Sequence, residues 1–186
     1  VKTIGEGVLA YRDQEWSKIY NKAVKFIQNK KFEPAEKQIK IALAIHPKKG
    51  ENYSTLAAIY IEDKNWESAL LTINRGLNVD NTNSALYQMK ANILIQNPNN
   101  LVKIENHIYK LAEESYIQAI KYSDNPGPIM RQLLFVYIDM DENQQAIDYS
   151  NELLNKYPDD ANLYYNVGVL YQRLAQDIKI KSKENF

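Results

Sequence analysis

The chain contains no cysteine, only six glycines and six prolines, and no net charge. Without cysteine there is no disulfide, no thiolate nucleophile and no cysteine-ligated metal, and the redox compartment is left open. So few glycines and prolines leave little room for tight turns, which favours helices over many short strands. Lys+Arg and Asp+Glu are both 23 and cancel. A dedicated nucleic-acid binder carries a basic face, so nucleic acid is not the expected partner. No apolar run approaches the roughly 18 residues that span a bilayer. The sequence begins at Val1 rather than Met and stops at Phe186 inside a helical pattern. It is therefore expected to be a piece of a longer or processed protein.

What is present is a period. Ala23, Ala57, Ala91, Leu134 and Gly168 recur at spacings of 34, 34, 43 and 34 residues. Three residues further on come Phe26, Tyr60, Leu94, Tyr137 and Tyr171, and downstream Ala35, Ala69, Ala112 and Ala146. Pro47 and Pro158 end equivalent segments, with Asn81 and Asp124 in the intermediate ones. Each unit carries two helical patterns. Tyr53, Leu56, Ala57 and Tyr60 follow the i, i+3, i+4, i+7 spacing of an amphipathic helix, and Ala69, Ile73 and Gly76 that of a second. Asp141 before Glu142 and Gln144, and Asn65 before Trp66, read as helix-start signals at the joint. Pro128 suits a first helical turn, where a missing N–H costs nothing.

The pattern resembles the tetratricopeptide repeat (TPR): W-x2-L-G-x2-Y, then A-x3-F, then P over 34 residues. "YYNVGVLY", 164–171, matches its first part and "AEKQIKIALAIHP", 35–47, its second. The resemblance implies an all-α, right-handed α-α superhelix. The array spans 1–186, with an extension over 1–15 and repeats at 16–49, 50–83, 84–126, 127–160 and an incomplete 161–186. In TPRs the small position of the first helix is where the second helix of the same unit crosses closely, which would explain Gly168. Leu134 departs from that pattern, so a tight crossing does not carry over to the fourth unit. Residues 1–15 are expected to extend or cap the first helix, with Gly5 and Gly7 marking a flexible start. "IKIKSKENF", 178–186, reads as the start of a final second helix.

The 43-residue spacing places nine extra residues between Leu94 and Ala112. A turn at Gln96–Asn100 and one long helix over Leu101–Ser123 are expected, with Asn99 or Asn100 as its N-cap. Leu101, Ile104, Ile108 and Leu111 form an apolar stripe there. It either packs inside the molecule or forms a ridge for a partner or a second copy.

Catalytic chemistry finds little support. His46 sits at a helix end, where its imidazole can meet the last carbonyls. His107 lies on the long helix, and neither has a Ser–Asp or paired-carboxylate context on the same helix face. "DMDENQQ", 139–145, begins like a calcium loop but has Gln144 where glycine is needed and Ser150 where the bidentate glutamate belongs. It reads better as a turn. Fourteen tyrosines could suggest base stacking. Yet Tyr53, Tyr60, Tyr87, Tyr116, Tyr137, Tyr164 and Tyr171 all fall on core positions of the repeat. No catalytic residue, metal or cofactor is expected.

The family resemblance implies a concave wall built from the first helices. Carried over by register, the expected contact residues are Tyr20, Ile27, Ile61, Asn92, Ile95, Arg131, Phe135, Ile138, Tyr165 and Val169. Such a wall suits a protein partner's helix or extended peptide. The chaperone-adaptor TPRs hold a peptide C-terminus with Lys, Asn and Arg. The corresponding positions here are Tyr20, Val24, Thr55, Ala85 and Met89, or one unit later Ser54, Ala58, Met89, Pro128 and Gln132. Neither set has the charges. The expected function is a non-catalytic interaction module or scaffold. The alternatives are a homo-oligomer formed through the long third-unit helix or the open C-terminal end, and an enzyme whose catalytic domain lies outside this sequence. The richness in Asn, Lys, Ile and Tyr fits an AT-rich, bacterial genome.

Overall fold

The computed structural model describes residues 4–96 and 105–184. Nine helices make up the described residues: α1 (Ile4–Gln28), α2 (Phe32–Ile45), α3 (Gly50–Glu62), α4 (Trp66–Val79), α5 (Ser84–Gln96), α6 (Glu105–Lys121), α7 (Gly127–Asp139), α8 (Asn143–Lys156) and α9 (Ala161–Glu184). No strand occurs among them. The first eight pair as α1/α2, α3/α4, α5/α6 and α7/α8, and each pair packs on the next. The all-α expectation holds.

The turn inside three of the pairs is one device repeated. Lys30, Lys64 and Asp141 all adopt left-handed backbone, with φ near 55°. The next residue's N–H returns to a carbonyl five residues back: Lys31 to Phe26, Asn65 to Tyr60 and Glu142 to Tyr137. This is the Schellman closure, usually made with glycine at the left-handed position. Asp141 therefore ends α7 and does not cap α8, whose N-cap is Glu142 without a side-chain bond. Asn65 does cap α4, accepting from the Ser68 N–H at 3.2 Å. Pro128 occupies the first turn of α7 as its chemistry requires.

The core runs along the stack as three clusters. Ala23, Ala35, Ile39, Leu56 and Ile59 join the first two pairs. Tyr53, Ala57, Ala69, Ile73, Leu86 and Ile93 join the second and third. A larger cluster, including Ala91, Ala112, Leu133, Leu134, Leu153 and Leu163, fills the C-terminal half. Neighbouring pairs are also matched in chemistry. Tyr60 donates to Glu36 at 2.9 Å, and Tyr137 donates to Glu113 at 3.0 Å in the equivalent place. Where the tyrosine becomes Leu94, the glutamate becomes Leu70. In the fourth pair both crossing positions are leucines, Leu134 and Leu153, and fully buried. The backbones of α7 and α8 approach each other less closely than those of the other pairs. Leu134 thus widens the crossing, as its volume demands.

Several expectations need correction. Gly5 and Gly7 do not interrupt α1, which is helical from Ile4 onward. The long second helix of the third unit is described from Glu105. The proposed caps Asn99 and Asn100, and the stripe residues Leu101 and Ile104, lie outside the described residues, as does the His107 side chain. The rest of the stripe packs internally: Ile108 is buried and Leu111 packs against the same cluster. His46 does not meet the last carbonyls of α2. Its Nε2 lies 3.1 Å from Asp13 Oδ1, on the extended part of α1. Residues 178–184 do not start a separate helix, because α9 runs unbroken to Glu184. Gly168 consequently meets nothing: a Cβ there would have no neighbour within 4 Å. Tyr164 and Tyr171, expected on core positions, are 52% and 46% exposed for the same reason.

Candidate functional site

α5, α7 and α9 carry most of the expected contact residues. Between α5, α6 and α7 lies a cleft of about 210 Å³ lined by Asn92, Ile95, Gln96, Tyr116, Gln132, Phe135, Val136 and Asp139. It is smaller than the roughly 300–1,000 Å³ of small-molecule sites, and suits a single side chain.

The cleft has a polar floor because one core position changed character. Tyr116 stands where α2 and α4 have Ile39 and Ile73, and its hydroxyl bonds to Asn92 Oδ1. Burial pushes the Tyr116 hydroxyl up to about 12, so it stays a neutral donor. The Asn92 amide nitrogen has no partner among the described residues. Gln88 Nε2 donates to Gln132 Oε1 at 3.0 Å, tying α5 to α7 and orienting the second amide of the lining. Phe135, 42% exposed, is the apolar wall. At the rim, Arg173 of α9 lies 3.7 Å from both Asp139 and Asp141. Half-exposed pairs of this kind contribute about 0–1 kcal/mol. This one joins α9 to the cleft edge. One turn earlier on the same two helices stand Phe135 and Val169.

The expected contact residues divide into two groups. Phe135, Tyr165 and Val169 are exposed, at 42%, 72% and 44%. Asn92 and Ile95 line the cleft beside Phe135. The others are engaged in holding the array together. Tyr20 stacks on Trp16 with ring centroids 4.9 Å apart and shares a hydrogen bond with Thr55 at 2.8 Å. Ile27 and Ile61 are half-buried against the clusters between pairs. Ile138 is buried in the core and offers no groove surface. Arg131 pairs with Asp160 at the start of α9. Sequence reading had Tyr116 as core and left out Gln96 and Asp139. The signal available for Tyr116 was a hydroxyl in a column that opens with Ile39 and Ile73 and closes with Ser150.

The lining contains one carboxylate, Asp139, and no lysine or arginine. It cannot hold a peptide carboxylate as the chaperone-adaptor clamp does. No group of three or more metal-ligating side chains exists among the described residues. No described helix is long and apolar enough to cross a membrane.

No protein-family model and no curated protein matches the sequence. Solved structures do match. The chain is similar to PilF of Pseudomonas aeruginosa, with TM-score 0.68 and 16% identity over 92% of this chain and 74% of that one. It is similar to YrrB, described as a TPR protein with an unusual peptide-binding site, with TM-score 0.63 and 18% identity over 84% and 76%. The first TPR domain of Spaghetti (RPAP3), bound to the HSP90 peptide SRMEEVD, gives TM-score 0.59 and 12% identity over 68% and 96%. This chain therefore has the tetratricopeptide-repeat fold, an all-α right-handed superhelix of stacked helix pairs.

Proposed function

We propose that the chain is a non-catalytic interaction module that takes a segment of a protein partner along α5, α7 and α9. The observation that carries this reading is the cleft in which Phe135 stands beside the amides of Asn92, Gln96 and Gln132. Side-chain amides can pair with both the N–H and the C=O of an extended peptide, while the cleft takes one apolar side chain. The absence of cations from the lining selects against an acidic terminus. Two of the similar structures are described with a peptide site or a bound peptide, which agrees with this use of the fold. The helix pairs brace one another, so the wall is preformed and the ordering cost of binding is low.

A displayed library of random peptides, selected on the whole chain, tests this reading. The selected peptides should share an uncharged or basic segment with one apolar anchor. Their affinity should fall at least ~30-fold, or about 2 kcal/mol, in the Phe135→Ala/Tyr165→Ala double variant, as expected for loss of aromatic anchors. Selection of no peptide, or binding untouched by the double variant, would refute it.

A further inference from the structure

Along the stripe of α7 that lines the cleft, Gln132, Phe135 and Asp139 stand on successive turns. A segment lying along that stripe meets an amide, then an aromatic wall, then a carboxylate. Asp139 is the last residue of α7, where the aligned peptide dipoles already leave partial negative charge. Asp141, in the left-handed turn that closes the helix, adds a second carboxylate within reach of the same cation. That cation is Arg173 of α9, and among the described residues it alone pairs with either aspartate. It lies 3.7 Å from each, beyond hydrogen-bond distance. This end of the cleft therefore keeps a surplus of negative charge, two carboxylates against one guanidinium. Building on the reading of the cleft as a peptide site, we infer that Asp139 selects a partner segment with a basic residue two positions from its apolar anchor. Arg173 occupies the place of that residue in the free chain.

The spacing follows from two repeats. Residues four apart on a helix have Cβ atoms about 5–6 Å from each other, which is the step from Phe135 to Asp139. Side chains on one face of an extended segment recur at every second residue, about 6.5 Å apart. An anchor set against Phe135 thus places the residue two positions along opposite Asp139, and turns the residue between them away. A glutamate or aspartate at that place would face two carboxylates and a helix C-terminus, so it is disfavoured. Arg173 yields readily, because a half-exposed pair at this distance stabilises the free chain very little. Once displaced from Asp139 it still has Asp141, which is 75% exposed. The incoming cation lies in the cleft beneath the segment that carries it, with less water around it than Arg173 has. Its attraction to Asp139 is stronger for that reason.

Peptides selected on the whole chain from a random displayed library test this. Lys or Arg should be enriched two positions from the apolar anchor, and Asp or Glu depleted there. A synthetic peptide of the commonest selected sequence should bind Asp139→Asn at least ~3-fold more weakly than the parent, within the range of a partly exposed ion pair. The same peptide with its basic residue replaced by glutamine should bind both proteins equally. Arg173→Met keeps the length of the side chain and removes its charge. It should tighten the basic peptide at least ~2-fold, as loss of a weak competing pair allows, and leave the glutamine peptide unchanged. If Arg173 only braced α9, the same change would weaken both peptides alike. Selected peptides without a basic residue at that spacing, equal effects of Asp139→Asn on the two peptides, or no tightening in Arg173→Met would each overturn the inference and leave the cleft a peptide site. A library that yields no peptide removes the inference and the peptide site together.

Discussion

The same substitution, glycine to alanine, should change stability in opposite directions in α4 and α9. In a helix interior the change alone stabilises by about 1 kcal/mol, because glycine has more backbone freedom to lose. At Gly168 nothing stands within 4 Å of the new Cβ, so that gain is kept. At Gly76 the Cβ would fall 2.5 Å from Leu86 Cδ1 and 2.7 Å from Tyr53 Cβ. Leu86 is fully buried and the Tyr53 Cβ is fixed by the α3 backbone. α4 must therefore shift away from α3. Overpacking of this kind costs typically 1–3 kcal/mol, which against the helical gain leaves a net loss of up to about 2 kcal/mol. At roughly 2–4 °C per kcal/mol for a chain of this size, Gly76→Ala should melt up to about 8 °C lower and Gly168→Ala about 2–4 °C higher. Far-ultraviolet circular dichroism of dilute protein, with urea titrations beside the thermal scans, measures both. A stabilised Gly76→Ala, or a destabilised Gly168→Ala, would refute the assignment of one glycine to a tight crossing and the other to open space.

Asn52 is fully buried, accepts from the Trp16 indole at 2.9 Å and donates to the His46 carbonyl at 2.9 Å. Asn52→Ala strands both partners and should lower stability by about 2–3 kcal/mol in urea titrations. Asp160 accepts from the Leu163 N–H at 3.1 Å and pairs with Arg131. Asp160→Ala should lose about 1–2 kcal/mol and speed amide exchange in the first turn of α9 more than in α8. Tyr116 is pushed up to about 12 by burial, and Tyr137 and Tyr149 are raised chiefly by burial as well. Unfolded tyrosines ionise near pH 10. The folded chain thus holds these protons longer. The contribution of Tyr116 is fully present below about pH 10 and is lost as pH rises through about 12, and those of Tyr137 and Tyr149 are lost at still higher pH. Spectrophotometric titration should show a late group of tyrosines that merges with the rest in urea, and Tyr116→Phe should remove one of them.

The fold was legible because it is periodic. A residue that must be small or apolar every 34 positions reports its own burial, and Ala23, Ala57 and Ala91 are each buried as that rule demands. Leu134 was legible too, since a leucine at a crossing has only the option of widening it. The exposure of Phe135, Tyr165 and Val169 and the place of Asn92 in the cleft agree with counting along the first helices. Tyr116 was not legible in this way, because its role depends on a contact with Asn92, 24 residues away on another helix.

The local pattern of apolar and small residues by itself determined helices, pairs and stacking, since these depend on spacing along the chain. Tertiary structure alone decided which faces have neighbours. Gly168 fits the same sequence rule as Ala57, yet one meets solvent and the other meets α4. Burial belongs to the pair of surfaces, and only the arrangement of helices in space supplies or withholds the second one.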